Sequence, residues 1–249
     1  MYKMNQDKKI AVPTVDREGT DSRVDASGPG ASVEEIAERI LGAIWEHRLP
    51  PGTKLVEEKL ARVFGVSRTK IRLAMGKLSH DSILTVEPNR GTFVSSPTVE
   101  QARQVFNARR LVEAGLVREL AATARKDQVA RLRKNIALES EARARNDRRA
   151  IIRLSGEFHT LIAEMAQNPF LMKYMRELCS LTCLVIALYD APGMPACPHH
   201  EHNNIVDALE ARDADRACAL MVEHLTHVEN ALRLELPAGE DIDFEAVFA

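Results

Sequence analysis

The sequence predicts a mainly α protein, an N-terminal winged helix-turn-helix followed by an all-α helical bundle. Three observations carry this. Aromatic residues make up only 4% of a chain that is 45% hydrophobic, so Leu, Ala, Val and Ile supply the apolar load. Apolar residues recur at helical spacing through most of the chain. The strand-like pattern is confined to one short stretch, Ile83 to Val94, with a turn at its centre.

Residues 1–30 are polar, rich in Asp, Ser and Gly, and lack apolar periodicity, which predicts a disordered tail. The DNA-binding domain is placed at 31–95. Ser32 and Glu35 form a capping box, and Ile36, Ile40, Ala43 and Ile44 make one apolar stripe, so a first helix runs from about Ser32 to His47. Leu49-Pro50-Pro51-Gly52 stops it. A second helix covers Val56 to Phe64 and ends at Gly65. Ser67 caps a third helix that reaches about Ser79. Ile83–Val86, the turn Glu87–Gly91 and Thr92–Val94 form a β-hairpin, the wing.

A linker at 96–98 leads to a helical domain at 99–236, and an acidic tail occupies 237–249. Six helices are expected near 98–125, 127–147, 149–167, 170–189, 199–211 and 213–235. They are separated at Lys126-Asp127, Asn168-Pro169, Ala191-Pro192-Gly193 and Ala211-Arg212-Asp213.

Composition narrows the function. No apolar run approaches the roughly 20 residues of a membrane span, and no apolar segment follows the N-terminal lysines as a signal peptide requires. The four cysteines, Cys179, Cys183, Cys197 and Cys218, form no CxxC pair, and reduced thiols in a cytoplasmic protein are expected.

The formal charge is only −2, yet Lys59 to His80 holds six Lys/Arg residues and no acid. That local bias is the footprint of a DNA-reading element. At 3.6 residues per turn, Arg68, Thr69 and Arg72 share one arc of the third helix, beside the apolar stripe Ile71, Met75 and Leu78. An Arg can donate two parallel hydrogen bonds to guanine, while the Ser67 and Thr69 hydroxyls suit phosphate. Arg90, beside Gly91 at the hairpin tip, is placed to touch a groove or the backbone.

The run Leu49–Glu57, with Val66-Ser67-Arg68-Thr69 and Arg90-Gly91-Thr92-Phe93-Val94, resembles the winged helix of the GntR family. The resemblance implies that Arg68 and Arg72 are the principal DNA contacts and that the Arg90-Gly91 tip assists. Lys70 stands where the family usually has Pro, which suggests a further phosphate contact. Glu58 stands where some members have a DNA-contacting Arg. Residues 98–235 resemble the FCD ligand-binding domain of the FadR subfamily, in its shorter six-helix type. The matching motifs are Asn107–Glu113, Glu157-Phe158-His159, Glu201–Leu209 and Met221–Leu225.

His202 and His224 lie ten residues before and twelve after Arg212, so two antiparallel helices joined there bring their imidazoles to one height. His159 lies on another helix within the frame Leu154, Phe158 and Ile162. Spacing leaves two readings open: a divalent-metal site, or hydrogen-bonded histidines lining an anion pocket. The resemblance favours a transition metal such as zinc or nickel, with no organic cofactor. Its usual fourth ligand, an Asp one turn before the first His, is here Ser155, which leaves open positions for a ligand oxygen. The resemblance also makes Arg109 a pocket residue that pairs with a ligand carboxylate. The alternative from spacing is a pair with Glu113 at i+4. His199, His200 and His227 read as surface residues, and Arg143, Arg145, Arg148 and Arg149 as a solvated helix end.

The expected function is a metabolite-responsive transcriptional repressor, not an enzyme. It binds a palindromic double-stranded operator as a homodimer and is released by a small organic acid held by Arg109 and Ser155. The alternative is a metal-dependent enzyme that uses the three-His cluster, with the winged helix as targeting module. No HExxH motif and no base beside the histidines supports catalytic residues.

Overall fold

The computed structural model describes residues 31–190 and 200–234. The expected tails, the break at Ala191-Pro192-Gly193, and Cys197 and His199 lie outside the described residues. Helix α1 (Val33–Trp45) starts at the expected capping box: the Glu35 N–H donates to Ser32 Oγ at 3.0 Å and the Ser32 N–H to Glu35 Oε2 at 2.7 Å. It ends two residues earlier than expected, because His47 takes φ 51° and turns the chain away. Helix α2 (Glu57–Phe64) ends at Gly65 in the left-handed conformation, and α3 (Arg68–His80) is capped by Ser67.

The wing is larger than a hairpin. Strands β1 (Lys54–Leu55), β2 (Leu84–Glu87) and β3 (Gly91–Val94) form an antiparallel sheet in the order β1-β3-β2, with Val86 opposite Thr92 and Leu55 also opposite Thr92. A two-residue strand is too short to show alternation, so β1 leaves no periodic trace in the sequence. At Gly91 (φ 111°) a Cβ would also lie 3.1 Å from Lys54 Cε, which suits glycine at the hairpin tip.

Six helices follow: α4 (Val99–Thr123), α5 (Lys126–Ala144), α6 (Arg148–Met165), α7 (Pro169–Tyr189), α8 (Glu201–Glu210) and α9 (Ala214–Asn230). The last stops short of residue 235, and Leu232 instead bridges to Asp190. Helix α4 packs along α9, α5 on α6, α6 on α7, and α8 on α9. Phe106, Phe158, Ile162, Met175 and Leu184 fill the centre, essentially removed from water.

The described residues on both sides of 96–98 belong to one compact unit. The end of α1 lies against α6 and α7. Trp45 donates from Nε1 to Ser180 Oγ (3.0 Å), and His47 donates from Nε2 to the Cys183 carbonyl (3.1 Å). The Trp45 ring covers Gly156, where a Cβ would meet it at 3.4 Å. Arg176 pairs with Glu38, Lys173 donates to His80 (3.2 Å), and the Tyr189 hydroxyl donates to the Pro97 carbonyl (2.9 Å). Among the described residues no helix is long and apolar enough to cross a membrane.

Candidate functional site

Two regions hold the predicted residues. The first is the exposed end of α3. Ile71, Ala74, Met75 and Leu78 are buried and fix the helix, which leaves Ser67, Arg68, Thr69 and Arg72 exposed and Lys70 half-buried. The Ser67 hydroxyl caps the helix by accepting from the Lys70 N–H at 3.3 Å. Arg72 is engaged with Glu57 at the start of α2: Nε donates to Oε1 (3.0 Å) and Nη2 to Oε2 (2.8 Å). Arg68 Nη2 approaches the same carboxylate at 3.6 Å. The hydrogen bond from Arg72 holds the Glu57 carboxyl below its usual range. At the wing tip Arg90 pairs with Glu87 and lies over the Phe93 ring, 5.6 Å from its centroid. Glu58 faces Arg62, one turn on.

The second region is buried. His159 on α6, His202 on α8 and His224 on α9 meet, each offering a ring nitrogen within 4.8 Å of the others. Every imidazole is tied at Nδ1 to a carboxylate: His159 to Glu113 (2.5 Å), His202 to Glu139 (2.9 Å) and His224 to Glu201 (2.7 Å). Phe158 stacks on His202 at 4.1 Å between centroids. Burial pushes the Glu113 carboxyl up, but Arg109 and His159 beside it overcome this and hold it at about 2. Burial likewise opposes ionisation of Glu139, and His202 and Arg143 bring it to about 2. Glu201 is also lowered, by His224 and His227 against the effect of burial. Ionised carboxylates only accept, so the three Nδ1 atoms carry the protons. Burial lowers His159 to about 3, which keeps its ring neutral.

The Nε2 atoms of His159 and His224 face each other at 3.2 Å. A proton shared between them makes this a hydrogen bond, and a cation could take the same place. Carboxylate-bound imidazoles with converging Nε2 atoms are the donor set and outer shell of a divalent transition-metal site, so the residues fit a metal such as zinc. Among the described residues the cluster consists of these three histidines. His227 is exposed, as expected of a surface residue, and its Nδ1 pairs with Glu201.

A cavity of about 100 Å³ opens beside the cluster. Its wall includes His159, His224, Ser155 and Arg109, so the two residues expected to bind effector border the histidines. Arg109 makes the i+4 pair and borders the cavity as well: Nε donates to Glu113 (2.6 Å) and Nη1 to Thr182 (3.2 Å), while Nη2 is buried without a hydrogen-bond partner. Arg143 and Arg148 also line the cavity. The expectation of a solvated helix end is corrected for Arg143, which is largely buried against Glu139, whereas Arg145, Arg148 and Arg149 are exposed.

Sequence reasoning missed the three carboxylates as a set. Glu113 and Glu201 lie inside the motifs quoted for the resemblance. Glu139 could have been found as an acid on the buried stripe of Leu132, Ile136 and Ala142.

Comparison with known proteins agrees with both regions. Residues 32–94 match the family model for bacterial regulatory proteins of the gntR family, and residues 104–227 match the FCD domain. The HTH-type transcriptional repressor RspR of Escherichia coli K12 is 27% identical over 207 residues, covering 82% of this chain and 91% of that protein. The HTH-type transcriptional repressor NanR of Salmonella newport is 28% identical over 222 residues, 78% of this chain and 83% of that protein. A GntR-type regulator from Rhodococcus sp. RHA1 superposes with a TM-score of 0.69 at 27% identity, covering 80% of this chain and 95% of its own. E. coli McbR/YncC shares the fold, with a TM-score of 0.69 at 18% identity, covering 78% of this chain and 93% of that one. With a winged helix that exposes arginines, an FCD bundle behind it, and family matches over three quarters of its length, the chain belongs to the GntR family of DNA-binding transcriptional regulators.

Proposed function

We propose that this protein is a homodimeric repressor whose hold on a palindromic operator is set by a small carboxylate bound in the FCD cavity, beside a divalent metal on His159, His202 and His224. The observation that carries the reading is the cavity wall. It combines the histidine cluster with a buried guanidinium nitrogen, Arg109 Nη2, that has no hydrogen-bond partner. An unsatisfied buried donor costs stability, and a ligand carboxylate removes that cost.

When bound, the metal would supply Lewis-acid attraction for an anionic oxygen. The chain's own groups do the rest. Glu113, Glu139 and Glu201 orient the imidazoles, Arg109 and Arg148 add positive charge, and Ser155 in place of a carboxylate leaves room for a ligand oxygen. At the DNA-reading end, Ser67, Arg68, Thr69, Lys70 and Arg72 face one half-site, with Arg90 and Gly91 at its flank.

The cavity also reaches the reading head. Gly156 and Cys183 line it and meet Trp45 and His47 at the end of α1. Ligand binding changes DNA affinity only if the two placements of α1 differ in ligand affinity.

The test is fluorescence anisotropy on DNA from upstream of the protein's own gene against a scrambled duplex, at about 0.15 M salt, where exposed charges are screened. Tight binding to the native fragment, released by a carboxylate from a metabolite panel only when metal is present, supports the reading. Specific binding that no panel member alters, with or without metal, counts against the sensing half of it.

A further inference from the structure

We propose that Glu57 is a positioning residue that decides which edge of the Arg72 guanidinium reads DNA, and is thereby a determinant of base specificity. The inference rests on the reading of Arg72 as a base-contacting residue.

A guanidinium has five N–H donors in two useful forks. One fork is Nε–H with the near hydrogen of Nη2. The other is Nη1–H with the far hydrogen of Nη2. Either can meet guanine O6 and N7, but each needs the side chain in a different orientation. Glu57 occupies the first fork with both of its oxygens, at 3.0 and 2.8 Å. Only the end-on fork is left, and its plane is set by a carboxylate held at the first residue of α2. An unpaired Arg would sample many rotamers and either fork, and could also serve any nearby phosphate. The pair removes that freedom before DNA arrives, which favours directional base contact over loose phosphate contact.

Stability does not explain the pair. The Arg72 side chain is 66% exposed, and an ion pair so open to water contributes little to folding. Helices α2 and α3 are already joined through the apolar side chains of Leu60, Phe64 and Ile71. The charge pattern points the same way. From Lys59 to His80 the chain has no acid, and Glu57 places a negative charge directly against Arg68 and Arg72. A negative charge on a surface that approaches phosphates weakens binding to every sequence alike. Its benefit is therefore in discrimination between sequences.

The test uses the full-length protein and a randomised duplex library. The wild type selects its own site, and anisotropy then measures that site, its single-base variants and a scrambled duplex for wild type, Glu57→Gln and Arg72→Ala. Melting temperature is followed for each. The expected result for Glu57→Gln is an unchanged melting temperature, tighter binding to scrambled DNA, and a loss of about tenfold or more in discrimination at one G·C pair per half-site. Arg72→Ala is expected to lose discrimination at that same pair while weakening binding throughout. If Glu57→Gln keeps wild-type discrimination at every position, or loses it evenly across the site, Glu57 is a helix tether and the inference fails. If Arg72→Ala instead keeps the wild-type preference at all positions, Arg72 does not read bases and the reading beneath the inference fails as well.

Discussion

Replacing Glu113 by Gln separates two roles that one carboxylate combines. Glu113 is completely buried, accepts from Arg109 Nε at 2.6 Å through one oxygen, and accepts from His159 Nδ1 at 2.5 Å through the other. Gln preserves the volume but has one acceptor oxygen and a donating amide. Whichever way the amide is turned, one buried N–H faces another donor. The Arg109 side chain is 4% exposed and its remaining acceptor is the neutral Thr182 hydroxyl, so its charge loses its carboxylate partner. Breaking such a pair by removing one member costs about 3–5 kcal/mol. At about 2–4 °C per kcal/mol for a chain of this size, metal-free Glu113→Gln should melt roughly 6–20 °C below metal-free wild type. Loss of an outer-shell carboxylate should also weaken metal binding by roughly 10–100-fold. Differential scanning fluorimetry in chelator and a competitive zinc titration read the two effects. A variant that melts within about 1 kcal/mol of wild type and keeps its zinc affinity would refute both the buried pair and the orienting role.

Further outcomes follow from other parts of the molecule. His202→Ala should lower the metal content of purified protein without unfolding the winged helix, read by metal analysis alongside circular dichroism; unchanged stoichiometry would remove His202 from the site. Trp45 is the sole tryptophan and its ring covers Gly156 on the cavity wall, so its emission should shift when metal and a binding carboxylate are added together. An unresponsive spectrum during saturable binding would show that the wall does not move. Cys179 and Cys183 are pushed up to about 12 by burial, so their peptides should stay unalkylated at pH 8 until urea is added, while the half-buried Cys218 is modified in the folded state. Burial lowers the pKa of His47, with the charges of Arg148 and Arg149 adding to it and the Cys183 carbonyl opposing. The folded state thus resists protonation of His47; its contribution to stability is complete above pH 6.5 and declines as the pH falls below that value. His47→Gln should flatten this part of the melting-temperature profile, and an unchanged slope would assign the acid sensitivity to other groups.

The winged helix was legible because its signals are local. Ser32 with Glu35, Gly65 and Ser67 are helix caps whose partners lie within four residues, and the apolar stripes of α1 and α3 repeat at one period. The site was legible where its geometry follows from a short connection. The turn at Arg212 is tight, so counting residues on either side placed His202 and His224 together. Contacts between distant segments were not legible. Nothing near Glu139 signals His202, which is 63 positions away, and the pairing exists only because α5 packs against α8. Arg143, in a basic run whose other arginines are exposed, read as solvated for the same reason: the cavity it lines forms only when the helices pack.

The packing of α1 bears on how a ligand signal could reach DNA. A flexible tether between reading head and bundle would transmit little, since each would move without biasing the other. Here the reading head ends in Trp45 and His47, and both are bonded to α7 at Ser180 and at the Cys183 carbonyl. Ser180 Oγ also donates to the Arg176 carbonyl at 2.6 Å, and Arg176 pairs with Glu38 back on α1. This closes a loop from α1 to α7 and back again. The cavity borders the same helix, with Cys179, Thr182 and Cys183 on its wall. A ligand that displaces α7 by a fraction of a helical turn must therefore either carry the end of α1 with it or break buried hydrogen bonds. A packed junction of this kind favours discrete arrangements over gradual bending. Under the proposed function, the differential affinity needed for a switch would reside in which arrangement of α7 lets Arg109 Nη2 reach a ligand carboxylate.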